Sequence, residues 1–183
     1  MLDPAIARRI RLLVLDVDGV LTDNAVYLGE VDGRRVEFKR FDVQDGLGLV
    51  LLREAGIEVA WLSARPSPAT TLRAAELRID TCIQDAAGRK YPAMEELLSA
   101  RGLDWAETAF VGDDLADLLV MRRVGLPIAV QNAVPEVKAV AAQVTAARGG
   151  AGAVREVVQL LLDARGEYEL ARDRYLRTQG DAA

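Results

Sequence analysis

The stretch LLVLDVDGVLTDN, residues 12–24, decides the fold. It begins with four consecutive apolar residues, which indicate a buried strand. Two carboxylates, Asp16 and Asp18, follow the strand directly, and Gly19 comes next. Glycine allows the backbone to turn sharply, so both carboxylates can reach the same place at the end of the strand. The stretch therefore predicts a buried strand that ends in an acidic turn with a chemical role.

Five short apolar segments resemble buried strands, and helical patterns lie between them. The strand-like segments are RLLVLD (11–16), EVAWLS (58–63), TCIQ (81–84), TAFVG (108–112) and PIAV (127–130), and the helical patterns cover residues 46–55, 69–77, 91–101 and 114–123. Alternation of strands and helices at this spacing predicts a parallel sheet with right-handed crossovers. The expected fold class is α/β, a Rossmann-like parallel sheet with helices on both faces.

Two segments depart from this alternation. Residues 25–41 alternate in polarity around Asp32-Gly33, a strong turn signal that predicts a protruding β-hairpin. A final helix is expected to begin near Ala153, and a charged tail to follow Gly166, with its last few residues disordered. The length of 183 residues suits a single domain, so we expect one domain over residues 1–183.

Composition excludes several classes of function. The chain has no histidine, which rules out Ser-His-Asp triads, Cys-His pairs and histidine-based zinc sites. Its net charge of −5 argues against a nucleic acid or an anionic membrane as partner. The single cysteine, Cys82, is read as a buried thiol in a reducing cytoplasm. We also expect neither a secretory signal nor a membrane span.

A second acidic segment, GDDLAD, follows the fourth strand-like segment and contains Asp113, Asp114 and Asp117. Because the carboxyl ends of parallel strands meet at one edge of a sheet, these residues are expected to converge with Asp16 and Asp18. Crowded carboxylates repel one another unless a cation neutralises them, and a hard divalent ion such as Mg²⁺ prefers oxygen ligands. The alternative is that some of them, Asp114 above all, only cap a helix or a turn.

Four motifs resemble those of the haloacid dehalogenase superfamily, in the same order along the chain. DVDGVLTD resembles the first motif, DxDG[TV], and GDDLAD resembles the acidic fourth motif. Ser63 in WLSARPS matches the Ser/Thr of the second motif, and Lys90 in AAGRKYPA matches the lysine of the third, with Arg89 as a competitor for that position. The match extends over nearly the whole chain.

The resemblance implies a phosphatase that forms a phosphoaspartate. By this resemblance Asp16 is the nucleophile and Asp18 is the general acid and base, while a carboxylate at the second position distinguishes phosphatases from P-type ATPases. Ser63 would bind a phosphoryl oxygen and Lys90 would neutralise charge. Mg²⁺ would be held by Asp16, the backbone carbonyl of Asp18, and Asp113.

The remaining residues are assigned supporting roles. Asp117 is expected to orient Lys90 or a metal-bound water, with Asp114 beside it. Arg65 and Ser67 are candidate substrate contacts. Arg155, at the start of the last predicted helix, is a candidate contact to a neighbouring subunit's site. The alternatives are a capping role for Ser63, a solvated Lys90 and a surface ion pair for Arg155.

Neither usual insertion point has room for a cap domain, which implies the capless subclass. Further stretches, among them FDVQDGLG and GGAGAVREVVQLLL, resemble the group of 3-deoxy-D-manno-octulosonate 8-phosphate phosphatases. This resemblance implies a homotetramer assembled through the hairpin and a phosphorylated acidic sugar as substrate. Two departures bear on substrate specificity, namely SAR where TGR is usual, with Ala64 in place of glycine, and VQNAVPE where VADAHPE is usual.

Two alternatives remain open for the function. One is a nonulosonate 9-phosphate phosphatase or a broad-range phosphatase that uses the same chemistry. The other belongs to a different class, a non-catalytic assembly module that retains the fold. The intact residues Asp16, Asp18, Lys90 and Asp113 argue against the module, because a decayed site has no physical reason to retain uncompensated charges.

Overall fold

The centre of the molecule is a six-stranded parallel sheet. A computed structural model of the protein describes residues 2–180. In chain order the strands are β1 (Leu12–Leu15), β2 (Tyr27–Val31), β3 (Arg34–Phe38), β4 (Glu58–Ser63), β5 (Thr81–Gln84), β6 (Thr108–Gly112), β7 (Leu126–Ala129) and β8 (Gln143–Val144). The sheet has the order β5-β4-β1-β6-β7-β8, and every neighbouring pair is parallel. The predicted α/β class is confirmed.

The order of the strands explains the continuous apolar run in β1. This strand is central, with β4 on one side and β6 on the other, and all four of its residues are buried. The chain moves outward from β1 to β5 on one side and then returns to β6 on the other. A crevice therefore opens beyond the carboxyl end of β1, where the direction of winding reverses.

The helices form two groups, as expected for the two faces of a sheet. Their bounds are α1 (Pro4–Arg9), α2 (Val43–Glu54), α3 (Pro68–Glu76), α4 (Lys90–Arg101), α5 (Leu118–Met121), α6 (Pro135–Val140), α7 (Ala153–Arg165) and α8 (Tyr168–Gly180). Helix α2 contacts α7 and α8, and α7 also contacts α1, whereas α5 contacts α4 and α6. Within residues 2–180, no helix combines the length and the apolar composition that a membrane crossing requires.

The predicted hairpin is present as β2 and β3, which pair antiparallel and form a separate two-stranded sheet. Its turn is Asp32-Gly33, and both residues have positive φ, 50° and 72°. Two successive positive φ angles are typical of the tight turn that matches the twist of a hairpin. At the base of the hairpin, Phe41 forms an isolated bridge with Thr22 and stacks on Trp61, with ring centroids 6.3 Å apart.

Two predicted elements differ in the structure. The helix expected over residues 114–123 is divided into a 3₁₀ turn at Leu115–Asp117 and the short α5, because the Asp117 side chain turns back to accept backbone N–H groups. The charged tail expected after Gly166 is instead helix α8, which buries Ala171 and donates from Arg174 to the carbonyl of Glu54. The disorder predicted for the last few residues concerns positions 181–183, which lie outside the described residues.

Candidate active site

An open cleft of about 250 Å³ lies at the crevice beyond β1. The ends of three neighbouring strands supply its floor: Asp16 follows β1, Ser63 ends β4 and Asp113 follows β6. The lining residues are Asp16, Asp18, Asn24, Val26, Ser63, Ala64, Arg65, Lys90, Asp113, Asp114, Ala116 and Asp117. The structure thus brings together eight of the ten candidate site residues chosen from the sequence. The other two, Ser67 and Arg155, do not line the cleft.

Four buried charged residues form what we term the acidic cluster: Asp16, Lys90, Asp113 and Asp117. One carboxylate oxygen from each of the three aspartates lies within 4.8 Å of the others. The Lys90 ammonium contacts Asp16 and lies 2.6 Å from Oδ1 of Asp117. Arg89, the competitor for this position, is exposed and pairs with Asp85 instead. One ammonium therefore faces three carboxylates.

Burial and the surplus of negative charge in the acidic cluster shift its pKa values. Burial, and after it the charge of Asp117, raises the pKa of Asp16 to about 7. Burial, and after it the charge of Asp16, raises the pKa of Asp113 to about 8. Burial opposes the charged form of Lys90, but Asp16 and Asp117 outweigh it and raise the pKa of Lys90 above its ordinary value. Without a further cation, the cluster therefore holds protons near neutral pH.

The carboxylate oxygens of Asp117 and Asp113 differ in their hydrogen-bond partners. Asp117 uses Oδ2 to accept the N–H groups of Asp113 and Asp114, at 2.9 and 3.3 Å, and Oδ1 to accept from Lys90. By contrast, Oδ1 of Asp113 is buried and has no hydrogen-bond partner in residues 2–180. A buried oxygen without a partner is costly, and a cation beside it would remove that cost.

The donor set of the acidic cluster fits a magnesium ion. The unpartnered oxygen of Asp113 and the carboxylate of Asp16 supply hard oxygen ligands, which Mg²⁺ prefers. Gly19 is needed here, because a Cβ at this position would lie 1.9 Å from Oδ2 of Asp113, and its φ of 91° also favours glycine. The sequence motif DVDG thus places its glycine against the second acidic segment.

Asp18 belongs to a different group of charges, which we term the hairpin cluster: Asp18, Glu37, Lys39, Arg65 and Ser67. The Lys39 ammonium lies 2.7 Å from Oδ1 of Asp18, and Arg65 lies 3.5 Å from the same atom. Glu37 accepts two hydrogen bonds from Arg65, at 2.6 and 3.3 Å, and one from the Ser67 hydroxyl at 2.6 Å. The hydrogen bonds from Arg65 are the main reason that the pKa of Glu37 lies below its ordinary value.

Sequence reasoning missed Lys39 and Glu37. Both lie on the return strand of the hairpin or directly after it, outside the four motifs. The available signal was the placement of Glu37 and Lys39 two residues apart, on the side of the strand opposite the exposed Phe38 and Arg40. Because the alternating pattern was interpreted only as an assembly element, the two charged residues that face the active site were overlooked.

The other selected residues have clear positions. The Ser63 hydroxyl is buried, donates to the carbonyl of Arg65 and accepts from its N–H. Asp114 is exposed at the cleft and accepts from the N–H of Leu115. Ser67 is buried behind the cleft, where it also caps α3. Arg155 lies on α7, outside this subunit's cleft, and donates to the Tyr168 hydroxyl at 3.0 Å.

A support for the acidic turn was also missed. Asn132 donates from Nδ2 to the carbonyl of Gly19 at 2.9 Å and accepts at Oδ1 from the N–H of Gly149 at 2.6 Å. Gly150 donates to the carbonyl of Val20. Asn132 belongs to VQNAVPE, where the sequence departs from the usual pattern, so an amide here clamps the turn that joins Asp16 to Asp18.

Known proteins match this chain in sequence and in fold. The sequence model of the haloacid dehalogenase-like hydrolase family matches residues 81–157. The 3-deoxy-D-manno-octulosonate 8-phosphate phosphatase of Escherichia coli K12 is 42% identical over 166 residues, which cover 91% of this chain and 86% of the relative. The Yersinia pestis phosphatase of the same name is 40% identical over 163 residues, which cover 89% and 85%.

Solved structures extend the comparison. The Moraxella catarrhalis 3-deoxy-D-manno-octulosonate 8-phosphate phosphatase, in complex with a magnesium ion, a phosphate ion and a KDO molecule, superposes with a TM-score of 0.87 at 37% identity, covering 94% of this chain and 97% of that chain. The cobalt-bound phosphatase of Haemophilus influenzae gives a TM-score of 0.82 at 36% identity, covering 89% and 93%. The comparisons cover nearly the whole described chain.

Proposed function

Because this chain belongs to the haloacid dehalogenase-like hydrolases, in the family of the 3-deoxy-D-manno-octulosonate 8-phosphate phosphatases, we propose that it is a Mg²⁺-dependent phosphatase of that acidic sugar phosphate. The observation that carries the proposal is the acidic cluster, in which three carboxylates that follow β1 and β6 meet the lysine that begins α4. We further propose that residues 1–183 form one hydrolase domain, with the hairpin as a flap.

Asp16 is assigned the role of nucleophile. Its carboxylate attacks phosphorus, the bond to the leaving sugar oxygen breaks, and a phosphoaspartate forms on Asp16. Asp18 gives a proton to the leaving oxygen and then takes one from the water that hydrolyses the phosphoaspartate. Lys90, which contacts Asp16, offsets negative charge on the transferring group.

The neighbouring residues hold the phosphoryl group and the lysine. Ser63 lines the cleft and is assigned to a phosphoryl oxygen, to which its hydroxyl would donate in place of the Arg65 carbonyl. Arg65 also lines the cleft and is assigned to the sugar phosphate. Asp117 orients Lys90, since its Oδ1 lies 2.6 Å from the ammonium. Ser67 acts on substrate through Glu37 and Arg65, because it is buried behind the cleft, and Arg155 is proposed to reach a neighbouring subunit.

The metal is assigned to Asp16, Asp113 and the backbone carbonyl of Asp18. The partnerless oxygen of Asp113 and the raised pKa values of Asp16 and Asp113 support this assignment. When bound, Mg²⁺ supplies positive charge that neutralises phosphoryl oxygens and holds them beside the nucleophile. Asp114 completes the acidic rim but is exposed and engaged by its own turn.

Phosphate release from a panel of sugar phosphates tests the proposal. The panel contains 3-deoxy-D-manno-octulosonate 8-phosphate, a nonulosonate 9-phosphate and simple hexose phosphates, each with Mg²⁺ and with excess chelator. We expect the octulosonate to give the highest kcat/KM and chelation to abolish release. Preference for the nonulosonate would support the alternative substrate, whereas no release from any member with Mg²⁺ would favour the non-catalytic module.

We also propose that the protein is a cytoplasmic homotetramer in which the hairpins pack together. Within the single chain, four apolar residues of the hairpin are each more than half exposed: Val26, Leu28, Val31 and Phe38. An apolar ribbon of this kind favours a partner surface. The half-buried, unpaired Cys82 is consistent with a reducing compartment.

Sedimentation of the intact protein and of a Leu28→Ser/Phe38→Ser variant tests the assembly. We expect an oligomer for the intact protein and smaller species for the variant. A Leu170→Ser/Leu176→Ser variant, which removes exposed apolar side chains from α8 instead, is the matched control and should leave the oligomer intact. A monomeric intact protein at micromolar concentration would contradict the proposal.

A further inference from the structure

Lys39 is a buried lysine that the proposed reaction does not yet use. Its side chain has no exposed surface, although an unpaired buried ammonium is costly. Its ammonium lies 2.7 Å from Oδ1 of Asp18 and donates to the Thr70 hydroxyl at 3.1 Å. Glu37 lies 4.0 Å away. One carboxylate, one hydroxyl and one more distant carboxylate therefore hold this charge in a single place.

The base of the hairpin determines where Lys39 lies. Phe41, two residues later, bridges Thr22 in the first motif and stacks on Trp61 of β4. Arg73 lies over the Phe41 ring at 5.9 Å from its centroid. Because side chains two residues apart in extended chain point to the same side, anchoring Phe41 directs Lys39 toward Asp18.

The contact leaves one oxygen of Asp18 for the reaction. Lys39 and Arg65 both approach Oδ1, and the Asp18 side chain is one quarter exposed at the cleft. Ion pairs at one oxygen restrict the rotation of a carboxylate, so the position of its other oxygen is also restricted. Lys39 itself does not line the cleft, so it does not touch substrate there.

We infer that Lys39 is a positioning residue for the proton-transfer carboxylate Asp18, and that the hairpin supplies this residue to the active site. The inference rests on the proposed function for the role of Asp18. It gives the hairpin a role within its own subunit, separate from assembly. Glu37 contributes by binding Arg65 and Ser67, which ties the second motif to the hairpin.

The leaving group of the substrate distinguishes positioning from a general structural role. When a sugar alkoxide leaves, the breaking P–O bond delivers its electron pair to an oxygen that must take the proton held by Asp18. When p-nitrophenolate leaves, that oxygen is already a stable anion and needs no proton. Disturbing Asp18 through Lys39 should therefore damage the first reaction far more than the second.

The experiment measures kcat/KM of the Lys39→Met variant on the best sugar phosphate of the panel and on p-nitrophenyl phosphate. We expect a loss of roughly 10²-fold for the sugar phosphate, the usual size of a proton-transfer contribution, and a much smaller loss for the aryl phosphate. The matched control is Arg40→Met, which removes an exposed positive charge from the next residue and should change neither value.

Thr70→Val provides a milder variant in case Lys39→Met does not fold. It removes the hydroxyl that accepts from Lys39 and keeps the shape of the buried side chain. We expect the same preference for the aryl phosphate, with a smaller loss. Equal losses on both substrates would show a general structural effect and overturn the inference, and so would no loss on either.

A crystal structure of the Lys39→Met variant separates this inference from the proposed function. We expect the Asp18 carboxylate to leave its position or to occupy several rotamers, while Asp16 and Lys90 stay in place. An unchanged Asp18 would overturn the positioning role, whether or not the protein is active. An intact protein that hydrolyses neither substrate would instead contradict the proposed function.

Discussion

The acidic cluster and the hairpin cluster both combine carboxylates with cations but differ in charge balance. The acidic cluster sets three carboxylates, Asp16, Asp113 and Asp117, against one lysine. The hairpin cluster sets two carboxylates, Asp18 and Glu37, against one lysine and one arginine. The first therefore has a surplus of two negative charges and the second has none.

This difference separates a cation site from a positioning network. In the acidic cluster burial, and after it the surplus of negative charge, raises the pKa of Asp16 and Asp113, and one oxygen of Asp113 has no partner in the described part of the chain. In the hairpin cluster each carboxylate has a cation beside it, Lys39 for Asp18 and Arg65 for Glu37, although Oδ1 of Asp18 accepts no hydrogen bond from the described residues. The pKa of Glu37 is lowered, chiefly by its hydrogen bonds from Arg65. A count of carboxylates alone does not predict a metal site; the count must be set against the cations that share the same space.

The largest expected effect belongs to the acidic cluster. Asp16→Asn removes the nucleophile and preserves its shape, so we expect a folded protein whose kcat falls by roughly 10³-fold or more. Phosphate release measures the loss of kcat, and a thermal melt shows whether the variant is folded. Asp80→Asn, an exposed change directly before β5, is the control. Substantial turnover by Asp16→Asn would contradict the proposed chemistry.

The second prediction concerns the turn that joins the two clusters. A Cβ at Gly149 would lie 1.8 Å from the carbonyl oxygen of Gly19, and backbone atoms on both sides cannot give way cheaply. We expect Gly149→Ala to lower the free energy of unfolding by about 3 kcal/mol, as severe overpacking does, and to reduce activity as well. Urea unfolding measures the first effect, with the exposed Ala151→Ser as control. A stability within 0.5 kcal/mol, roughly the range of neutral surface changes, would refute the close approach.

The third prediction uses pH and Mg²⁺. Asp16 and Asp113 have higher pKa values in the folded chain than in the unfolded chain, so the folded state binds more protons. In excess chelator, the contribution of these two groups to the free energy of unfolding should therefore be largest below about pH 4. It should fall as the pH rises toward about 8.

Added Mg²⁺ should reverse this trend, because it competes with those protons for the same oxygens. At one hundred times its dissociation constant, Mg²⁺ should add about 2.7 kcal/mol, and the dissociation constant should decrease from pH 6 to pH 8. Melts at several pH values with chelator or Mg²⁺ provide the measurement. Asp113→Asn should flatten both trends, and an unchanged response in that variant would exclude Asp113 as a ligand.

The smallest expected effect belongs to the hairpin cluster. Arg65 is 38% exposed at the cleft and remains a candidate substrate contact, so Arg65→Met should raise KM by about tenfold, the cost of roughly one charged hydrogen bond. Its kcat should change less. Steady-state kinetics measure both constants, and Arg148→Met, which changes an arginine outside the cleft, is the control. A fall in kcat with unchanged KM would instead place Arg65 with Lys39 as a residue that acts through Asp18.

Much of this molecule follows from local sequence. The apolar run of β1, the turn at Asp32-Gly33 and the alternation of strands and helices predict the sheet and the hairpin, because burial and backbone preferences act over a few residues. The acidic cluster is also predictable. Asp16 and Asp113 each follow a strand directly, and parallel strands deliver such residues to one edge.

Only the tertiary structure decided which of the charged residues meet. Lys90 rather than Arg89 turns inward, Asp117 folds back to close its own turn, and Asn132 clamps Gly19 across more than a hundred residues of chain. The partnership of Lys39 with Asp18 likewise depends on how the base of the hairpin packs against β4. Sequence periodicity specifies the face of an element on which a side chain lies, but charge pairing depends on distances of a few ångströms that only the packed fold sets.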